Sequence, residues 1–202
     1  MKTVLLILAA GSSTRMGRTK ALLKIGGRTF IQKILETGAC AGLLDIVVTV
    51  SSSDSELLPL LAEKARLLIN TRPELGPVGG IKDAVSKMLV PDTNDYFSML
   101  MWPVDCPVVS EAVIKRMLEH ASHDNVVVPI YHGKSGHPVL FGGAFVGEFK
   151  SDEVHSARDI IALADKKGSL YRLVVDDPAV LDDIDSPTDY NRLLVRFQAD
   201  GR

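Results

Sequence analysis

Residues 5–20 read LLILAAGSSTRMGRTK, in which an apolar run gives way to a small polar loop and then to basic residues. The apolar run, Val4–Ala10, has the length of a buried parallel strand. The loop begins at Gly11 and offers backbone N–H groups beside several cations, which is the combination that a polyphosphate requires. The stretch therefore predicts a strand that leads into a nucleotide-binding loop.

This loop matches neither of the two common phosphate-binding loops. A Walker loop needs Gly, four residues and then Gly-Lys-Ser/Thr, whereas Gly11 is followed here by Gly17 and Arg18. A dinucleotide fingerprint of the form GxGxxG fails at Ser13. The structural alternative is an ordinary strand-to-helix turn with solvated charges, which the clustering of basic residues around two glycines disfavours.

The composition is that of a globular protein with a sizeable core. The chain has 202 residues, of which 46% are hydrophobic, and a net charge of −2. We expect one domain over residues 1–202, and neither a nucleic acid nor a membrane as a partner. The N-terminal apolar run is too short for a signal peptide. Two cysteines, Cys40 and Cys106, imply no disulfide framework, so a cytoplasmic location is expected.

Apolar runs alternate with amphipathic segments along the chain. The predicted strands are Thr3–Ala9, Ile46–Val50, Ala65–Ile69, Tyr96–Trp102, Val126–Ile130, Pro138–Phe141 and Tyr171–Val175. The predicted helices are Thr29–Ala41, Asp54–Ala62, Val78–Leu89, Ser110–His120, Arg158–Lys166 and Ser186–Phe197. The alternation predicts a three-layer α/β/α, Rossmann-like sheet that is mostly parallel. The short strands between Asn125 and Phe141 are expected to form an antiparallel excursion.

Three candidate segments each follow a predicted strand. They are the loop at Gly11, the glycine-rich loop Gly76–Gly80 and the segment at Asp105. In an open parallel sheet, ligands bind beyond the carboxyl ends of the strands. We therefore expect these segments to meet at one edge of the sheet.

Basic and small residues of the first loop are candidates for holding a triphosphate. The planar fork of Arg15 suits two phosphate oxygens at once, while Lys20 supplies a flexible point charge. Gly11, Ser12 and Ser13 would add backbone or hydroxyl donors.

Carboxylates in two segments are candidate metal ligands. Asp105 ends an apolar strand between two prolines, where it suits Mg²⁺; the alternative is a turn aspartate that caps the next segment. Asp183 and Asp185 lie on one side of an extended segment before a helix that Ser186 caps; the alternative is a solvated acidic turn. Cys106 is either a packed, inert thiol or a ligand or nucleophile that lacks a nearby base in the sequence.

Two further motifs are candidates for binding the substrates. Residues 76–81 read GPVGGI, and the three glycines around Pro77 let the backbone approach a ligand closely; the alternative is a plain glycine turn. Residues 136–141 read GHPVLF, where His137 has either a binding or a structural role.

Together these motifs resemble those of a known family. Residues 8–31, LAAGSSTRMGRTKALLKIGGRTFI, resemble the LAAGxxxRMGxxK loop of nucleotidyltransferases. GPVGGI is similar to the GPLAGI motif of the guanylyltransferases, and GHPVLF matches a segment of the cytidylyltransferases. Residues 183–190, DIDSPTDY, resemble the family pattern DIDTPEDY. The chain is identified by these motifs as similar to the MobA/MocA-like family, the molybdopterin cytidylyltransferases and guanylyltransferases.

The resemblance implies the nucleotide-diphospho-sugar transferase fold and a Mg²⁺-dependent reaction. A nucleoside monophosphate would pass from CTP or GTP to a phosphorylated acceptor, expected to be molybdopterin, with release of pyrophosphate. The catalytic residues would be Arg15, Lys20 and Asp105, the metal would lie on Asp105 and Asp185 with Asp183 as the alternative, and His137 would face the acceptor. The nucleotide would contact Leu8, Ala9, Ala10, Gly11, Ser12, Ser13, Arg15, Lys20, Gly79 and Gly80. A molybdoenzyme or its chaperone would be a further partner.

Two departures from the family pattern leave other functions open. Cys106 stands where the cytidylyltransferases carry Gln, and residues 154–159 read VHSARD where those enzymes carry GDxGAR. A sugar phosphate is therefore an alternative acceptor. An alternative of another class is a noncatalytic, regulatory nucleotide-binding module, which the presence of both Asp105 and Asp185 disfavours, because binding a base needs neither.

Overall fold

The computed structural model describes residues 1–10, 19–51, 57–61, 63–89 and 97–199. Its strands are β1 (Lys2–Leu8), β2 (Lys24–Ile25), β3 (Arg28–Thr29), β4 (Asp45–Val50), β5 (Arg66–Ile69), β6 (Phe97–Pro103), β7 (Val126–Tyr131), β8 (Lys134–Ser135), β9 (Val139–Gly142) and β10 (Leu170–Val174). Its α-helices are α1 (Phe30–Cys40), α2 (Leu58–Leu61), α3 (Pro77–Ala84), α4 (Glu111–Glu119), α5 (Gly143–Val146), α6 (Ala157–Lys166) and α7 (Pro187–Ala199).

Eight of the described strands form one sheet. Its order is β5-β4-β1-β6-β9-β7-β10, with β8 paired to β7. Strand β9 runs antiparallel to β6 and β7, whereas the other neighbours along this order are parallel. The predicted α/β fold and its antiparallel excursion are thus confirmed. In the register, Leu8 lies between Thr49 and Pro103, so the carboxyl ends of the three central strands coincide.

Helices cover both faces of this sheet because side chains of a strand alternate between its faces. Leu5 and Ile7 of β1 pack in a core with α1, α4 and α7. Val4 and Leu6 pack in a second core with α3, α5 and α6. Each core consists of fully or nearly fully buried apolar side chains, which gives the expected three layers.

Several helix boundaries follow from capping groups. A capping box between Thr29 and Gln32 starts α1, and the Ser186 hydroxyl accepts a hydrogen bond of 3.2 Å from the amide of Asp189 at the start of α7. Helix α3 ends earlier than predicted, because residues 85–89 continue as a π-turn. Of the helix predicted over residues 54–62, Leu58–Leu61 is helical, and residues 54–56 and 62 lie outside the described residues.

No helix in the described ranges has the length and apolar character needed to cross a bilayer.

Candidate active site

Lys20 is held at the carboxyl edge of the sheet by a short 3-10 turn, residues 20–22. The amide of Leu23 donates a hydrogen bond of 3.0 Å to the carbonyl oxygen of Lys20, and the neighbouring Ala21 is fully buried. The Lys20 side chain is 15% exposed. The turn therefore anchors the backbone of Lys20 in the core and leaves its ammonium group at the surface of the site.

Asp105 lies in a tight turn directly after β6. The amide of Val104 donates to the carbonyl oxygen of Leu8 (3.1 Å), and the amide of Cys106 donates to that of Pro103 (3.2 Å). The indole of Trp102, itself buried, donates to the carbonyl oxygen of Cys106 (2.8 Å). These bonds hold the backbone of the turn and place Asp105 beside the end of β1.

The second acidic segment is hydrogen-bonded to this turn. The amide of Ile184 donates to the carbonyl oxygen of Asp105 at 3.2 Å. Ile184 is buried, whereas Asp183 and Asp185 on either side of it are exposed. Burial of the middle side chain therefore turns both flanking carboxylates outward, on the side where Asp105 lies.

The three carboxylates form one cluster. One carboxylate oxygen from each of Asp105, Asp183 and Asp185 lies within 4.8 Å of the other two. Carboxylate oxygens are the ligands that Mg²⁺ and Mn²⁺ prefer, so this donor set fits a hard divalent cation. Asp183 and Asp185 were predicted as alternative ligands, and both lie next to Asp105 in the structure.

Lys20 is ion-paired within this acidic cluster. Its Nζ lies 3.5 Å from Oδ2 of Asp105 and also contacts Oδ1 of Asp185. The two predicted partners of a triphosphate site, a lysine and a metal-binding aspartate, are thus adjacent. Lys20 is 85 residues from Asp105 and 165 residues from Asp185 along the chain, so no local pattern signals this contact.

The environment shifts the pKa of Asp105, Asp183 and Lys20. Burial raises the pKa of Asp105, and the charge of Asp185 adds to the rise. The pKa of Asp183 is also raised, first by burial and then by its two acidic neighbours. For Lys20, burial favours a lower pKa, but the hydrogen bond and charge of Asp185 and the charge of Asp105 outweigh it, so the pKa is raised. The cluster therefore favours the binding of positive charge.

Part of the predicted nucleotide loop lies outside the described residues. Gly11, Ser12, Ser13 and Arg15 belong to that part, and their roles stay predictions. Leu8, Ala9 and Ala10 lead to it from the end of β1. The amide of Ala9 donates to the carbonyl oxygen of Thr49 at 3.0 Å, which keeps the chain in line with the sheet as it approaches the site.

Gly79 and Gly80 are buried in the first turns of α3. A Cβ on Gly79 would lie 2.3 Å from the carbonyl oxygen of Arg72, and one on Gly80 would lie 3.3 Å from Cβ of Thr49. Both glycines are therefore needed, to different degrees, for the helix to approach the sheet and the loop before it. Their contact with a nucleoside stays a prediction.

A buried carboxylate that the sequence did not single out shapes the same loop. Asp83 is 2% exposed and accepts hydrogen bonds from the amide (2.8 Å) and hydroxyl (2.7 Å) of Thr71. The Arg72 guanidinium donates to it at 3.1 Å, and Nζ of Lys87 lies 3.4 Å away. Although burial favours a higher pKa, these bonds hold the pKa of Asp83 below its usual value.

His137 lies at the start of β9, at the same edge of the sheet. Its amide donates to the carbonyl oxygen of Val180 at 2.7 Å, and the half-buried ring has an Nδ1 without a hydrogen-bond partner among the described residues. Burial lowers the pKa of His137, Asp183 opposes the change and Arg158 reinforces it. The ring is thus near both the acidic cluster and the first turn of α6.

Cys106 is a packed thiol. The residue is fully buried, and its Sγ donates to the carbonyl oxygen of Ala179 at 3.1 Å. Burial raises the pKa of the thiol well above its usual value, and the surrounding aspartates add to the rise. Of the roles left open by the sequence, the inert one fits this environment, because a nucleophile or metal ligand requires the thiolate.

Comparison with known proteins identifies the family. The family described as MobA-like NTP transferase domain matches residues 5–169. A molybdenum cofactor guanylyltransferase of Xanthomonas euvesicatoria is 30% identical over 117 residues, which are 58% of this chain and 54% of that protein. A probable molybdenum cofactor guanylyltransferase of Bacillus anthracis is 35% identical over 134 residues, 64% of this chain and 62% of that protein. The chain thus spans about half to three fifths of these relatives.

Solved structures share the fold at lower sequence identity. A nucleotidyl transferase from Methanothermobacter superposes with a TM-score of 0.82 at 20% identity, covering 98% of this chain and 99% of that one. Rv0371c from Mycobacterium tuberculosis in complex with manganese superposes with a TM-score of 0.75 at 22% identity, covering 96% and 98%. The fold is that of the nucleotide-diphospho-sugar transferases, and the chain belongs to the family of MobA-like NTP transferase domains.

Proposed function

We propose that this protein transfers a nucleoside monophosphate from a nucleoside triphosphate to a phosphorylated small molecule. An oxygen of the acceptor phosphate attacks the α-phosphorus and forms the new P–O bond. The bond between the α-phosphorus and its bridging oxygen breaks, and pyrophosphate leaves with the electron pair. Because the acceptor phosphate is already an anion, the reaction needs no general base.

The acidic cluster with Lys20 in its midst is the observation that carries this proposal. In-line phosphoryl transfer depends mainly on positioning and on charge stabilisation. Asp105, Asp183 and Asp185 supply ligands for a divalent cation, and Lys20 supplies a positive charge from the protein itself. A site that only bound a base would need neither.

We assign Mg²⁺ as the cation, held by Asp105 and Asp185 with Asp183 beside them. When bound, Mg²⁺ neutralises phosphate charge and helps to align the triphosphate. The donor set consists only of oxygen atoms, which suits Mg²⁺. The structural relative in complex with manganese, an ion that often substitutes for Mg²⁺, supports a divalent cation of this class.

The nucleotide half of the site is the loop after β1. Arg15 and Lys20 would stabilise charge on the α-phosphate and on the leaving pyrophosphate, and Gly11, Ser12 and Ser13 would donate to the phosphates. The nucleoside would lie against residues of two segments, namely Leu8, Ala9 and Ala10 at the end of β1, and Gly79 and Gly80 in α3. The names of the relatives favour GTP, and the GHPVLF motif favours CTP, so these two are the candidate donors.

We place the acceptor beside His137. Burial lowers the pKa of this histidine, so its ring is neutral near pH 7 and donates a hydrogen bond rather than a charge. Arg158, exposed on α6, is the nearby cation for an anionic acceptor. The names of the relatives make molybdopterin the first candidate, with delivery to a molybdoenzyme or its chaperone in the cytoplasm as the next step.

Pyrophosphate release measured over a substrate panel tests this function. CTP, GTP, ATP and UTP are each combined with molybdopterin and with sugar phosphates, with and without Mg²⁺. We expect release with CTP or GTP and molybdopterin, and none without the metal. Release with a sugar phosphate alone would reassign the acceptor. Nucleotide binding without release for any pair would reduce the protein to a noncatalytic nucleotide-binding module.

A further inference from the structure

Lys20 occupies the region between two of the carboxylates that suit a divalent cation. Its Nζ contacts Oδ1 of Asp185 and lies 3.5 Å from Oδ2 of Asp105. Both carboxylates belong to the cluster whose oxygens lie within 4.8 Å of one another. The lysine of the proposed triphosphate site is therefore bound to the proposed metal ligands.

The same carboxylates cannot hold both cations at contact distance without a penalty. An ammonium group and a divalent cation within a cluster of this size would repel each other strongly, because the local environment is partly buried and screens charge less than water does. Asp105 is 28% exposed and Lys20 is 15% exposed. Each cation therefore weakens the binding of the other to Asp105 and Asp185.

The Lys20 side chain can move away from the carboxylates without a change in the backbone. Its backbone is fixed in the 3-10 turn of residues 20–22, while four rotatable side-chain bonds carry the ammonium group. The turn directly follows the loop of residues 11–18, the proposed seat of the triphosphate. A rotation of the side chain alone would take Nζ away from the carboxylates and make it available to a phosphate oxygen.

We propose that Lys20 and the divalent cation compete for Asp105 and Asp185, and that the displaced Lys20 turns to the triphosphate. This proposal rests on the proposed function for the identity of the second partner of Lys20. In this exchange the metal releases Lys20, which then binds the triphosphate. The triphosphate in turn draws Lys20 away from Asp105 and Asp185, which then bind the metal. Each ligand therefore strengthens the binding of the other. Such coupling is reciprocal and typically amounts to about 5- to 150-fold in affinity.

The exchange predicts opposite effects of one substitution on two ligands. Lys20→Met removes the ammonium group but keeps a flexible side chain of similar length. Without the competing cation, the carboxylates should bind a metal more tightly. Without its phosphate partner, the protein should bind a triphosphate more weakly.

Binding of Mn²⁺ in the absence of nucleotide tests the proposal directly. Free Mn²⁺ is followed by electron paramagnetic resonance in titrations of the unaltered protein, Lys20→Met and Lys115→Met. Lys115 is an exposed lysine paired with Glu111 at 2.6 Å, away from the cluster, and serves as the matched control. We expect Lys20→Met to bind Mn²⁺ at least about fivefold more tightly and Lys115→Met to bind it unchanged. Equal or weaker binding by Lys20→Met would overturn the exchange.

A second measurement covers the case in which Lys20→Met does not fold. Lysines of the unaltered sequence are reductively methylated with ¹³C, and the Lys20 resonance is assigned by its absence in Lys20→Arg. Addition of Mg²⁺ should shift this resonance with the midpoint of metal binding, and an unmoved resonance at saturating Mg²⁺ would contradict the proposal. Neither measurement requires turnover, so failure of the exchange and failure of the proposed function are distinguished.

Discussion

The amide of Ile184 donates a hydrogen bond of 3.2 Å to the carbonyl oxygen of Asp105. This bond joins the turn after a central strand to a segment nearly 80 residues further along the chain. It also sets the spacing of the acidic cluster, because Asp183 and Asp185 flank Ile184 and Asp105 supplies the third carboxylate. The distance between the three carboxylates is therefore a property of the backbone and not of flexible side chains alone.

Asp105→Asn separates activity from stability. We expect a loss of roughly 100-fold or more in turnover, because an amide is a much poorer ligand for a hard cation than a carboxylate. Burial raises the pKa of Asp105, so the ionised carboxylate destabilises the folded protein at pH values above that pKa. Protonation of Asp105 removes this cost. The thermal midpoint at pH 7 should therefore stay the same or rise. Pyrophosphate release and a melting curve measure the two effects, and retained turnover would remove Asp105 from the metal site.

His137→Ala tests the acceptor side of the site. We expect a higher KM for the acceptor with little change in the KM for the triphosphate, because the ring lies near Asp183 and Arg158, where we place the acceptor. Since the pKa of His137 is lowered, its contribution should not vary between about pH 7 and 8. The control is His120→Ala, which removes a ring stacked on Tyr171 at the far end of α4. Equal changes in both KM values would assign His137 a structural role.

Gly79→Ala and Gly80→Ala differ in the space that a methyl group would find. The Cβ at Gly79 would lie 2.3 Å from a backbone carbonyl oxygen, so we expect a loss of about 1–3 kcal/mol in the free energy of unfolding. The Cβ at Gly80 would lie 3.3 Å from the Thr49 side chain, and the loss should be smaller. Gly147→Ala, where no atom lies within 4 Å, is the control. Urea titrations measure all three, and equal stability of the first two variants would contradict the packing argument.

Asp83→Asn should destabilise the protein in a pH-dependent manner. Loss of the charge leaves Arg72 and Lys87 without their carboxylate, at a cost of about 1–3 kcal/mol at pH 7. Because the folded pKa of Asp83 is lowered, its stabilisation is present above about pH 4 and disappears as the pH falls through that folded value. Urea unfolding at pH 7 and pH 3 should show the difference shrinking. Asp165→Asn, which removes an exposed partner of Arg172, should change neither value.

Cys106 should be unreactive in the folded protein. We expect one equivalent of a disulfide reagent to react under native conditions, at the exposed Cys40, and two equivalents in denaturant. The reason is that Cys106 is buried and its raised pKa keeps it protonated. Cys40→Ser should abolish the native reaction, and rapid labelling of that variant would show that Cys106 is accessible.

The sequence predicted the sheet well because buried strands carry a strong local signal. The run before Gly11 became β1, and the strand predicted over residues 96–102 was found at Phe97–Pro103. The family resemblance placed Asp185 with Asp105, and the two carboxylates do lie together, because the backbone bond between Ile184 and Asp105 joins their segments. The π-turn after Ala84 and the network around Asp83 were not predicted, since both depend on contacts with distant residues. The pairing of Lys20 with Asp185 was not predicted for the same reason, because the two residues are distant in the sequence.

Strand β9 has a consequence for how such a site can diversify. It runs against both of its neighbours, so it begins at the edge where they end, and His137 enters the site from the start of a strand. The end of β1 and the residues before β9 thus lie at the same edge of the sheet, with β6 between the two strands. If the acceptor binds beside His137, as proposed, substitutions before β9 would alter its recognition and leave the backbone at the end of β1 unchanged. Under the proposed function, the topology would therefore allow donor and acceptor preferences to evolve independently.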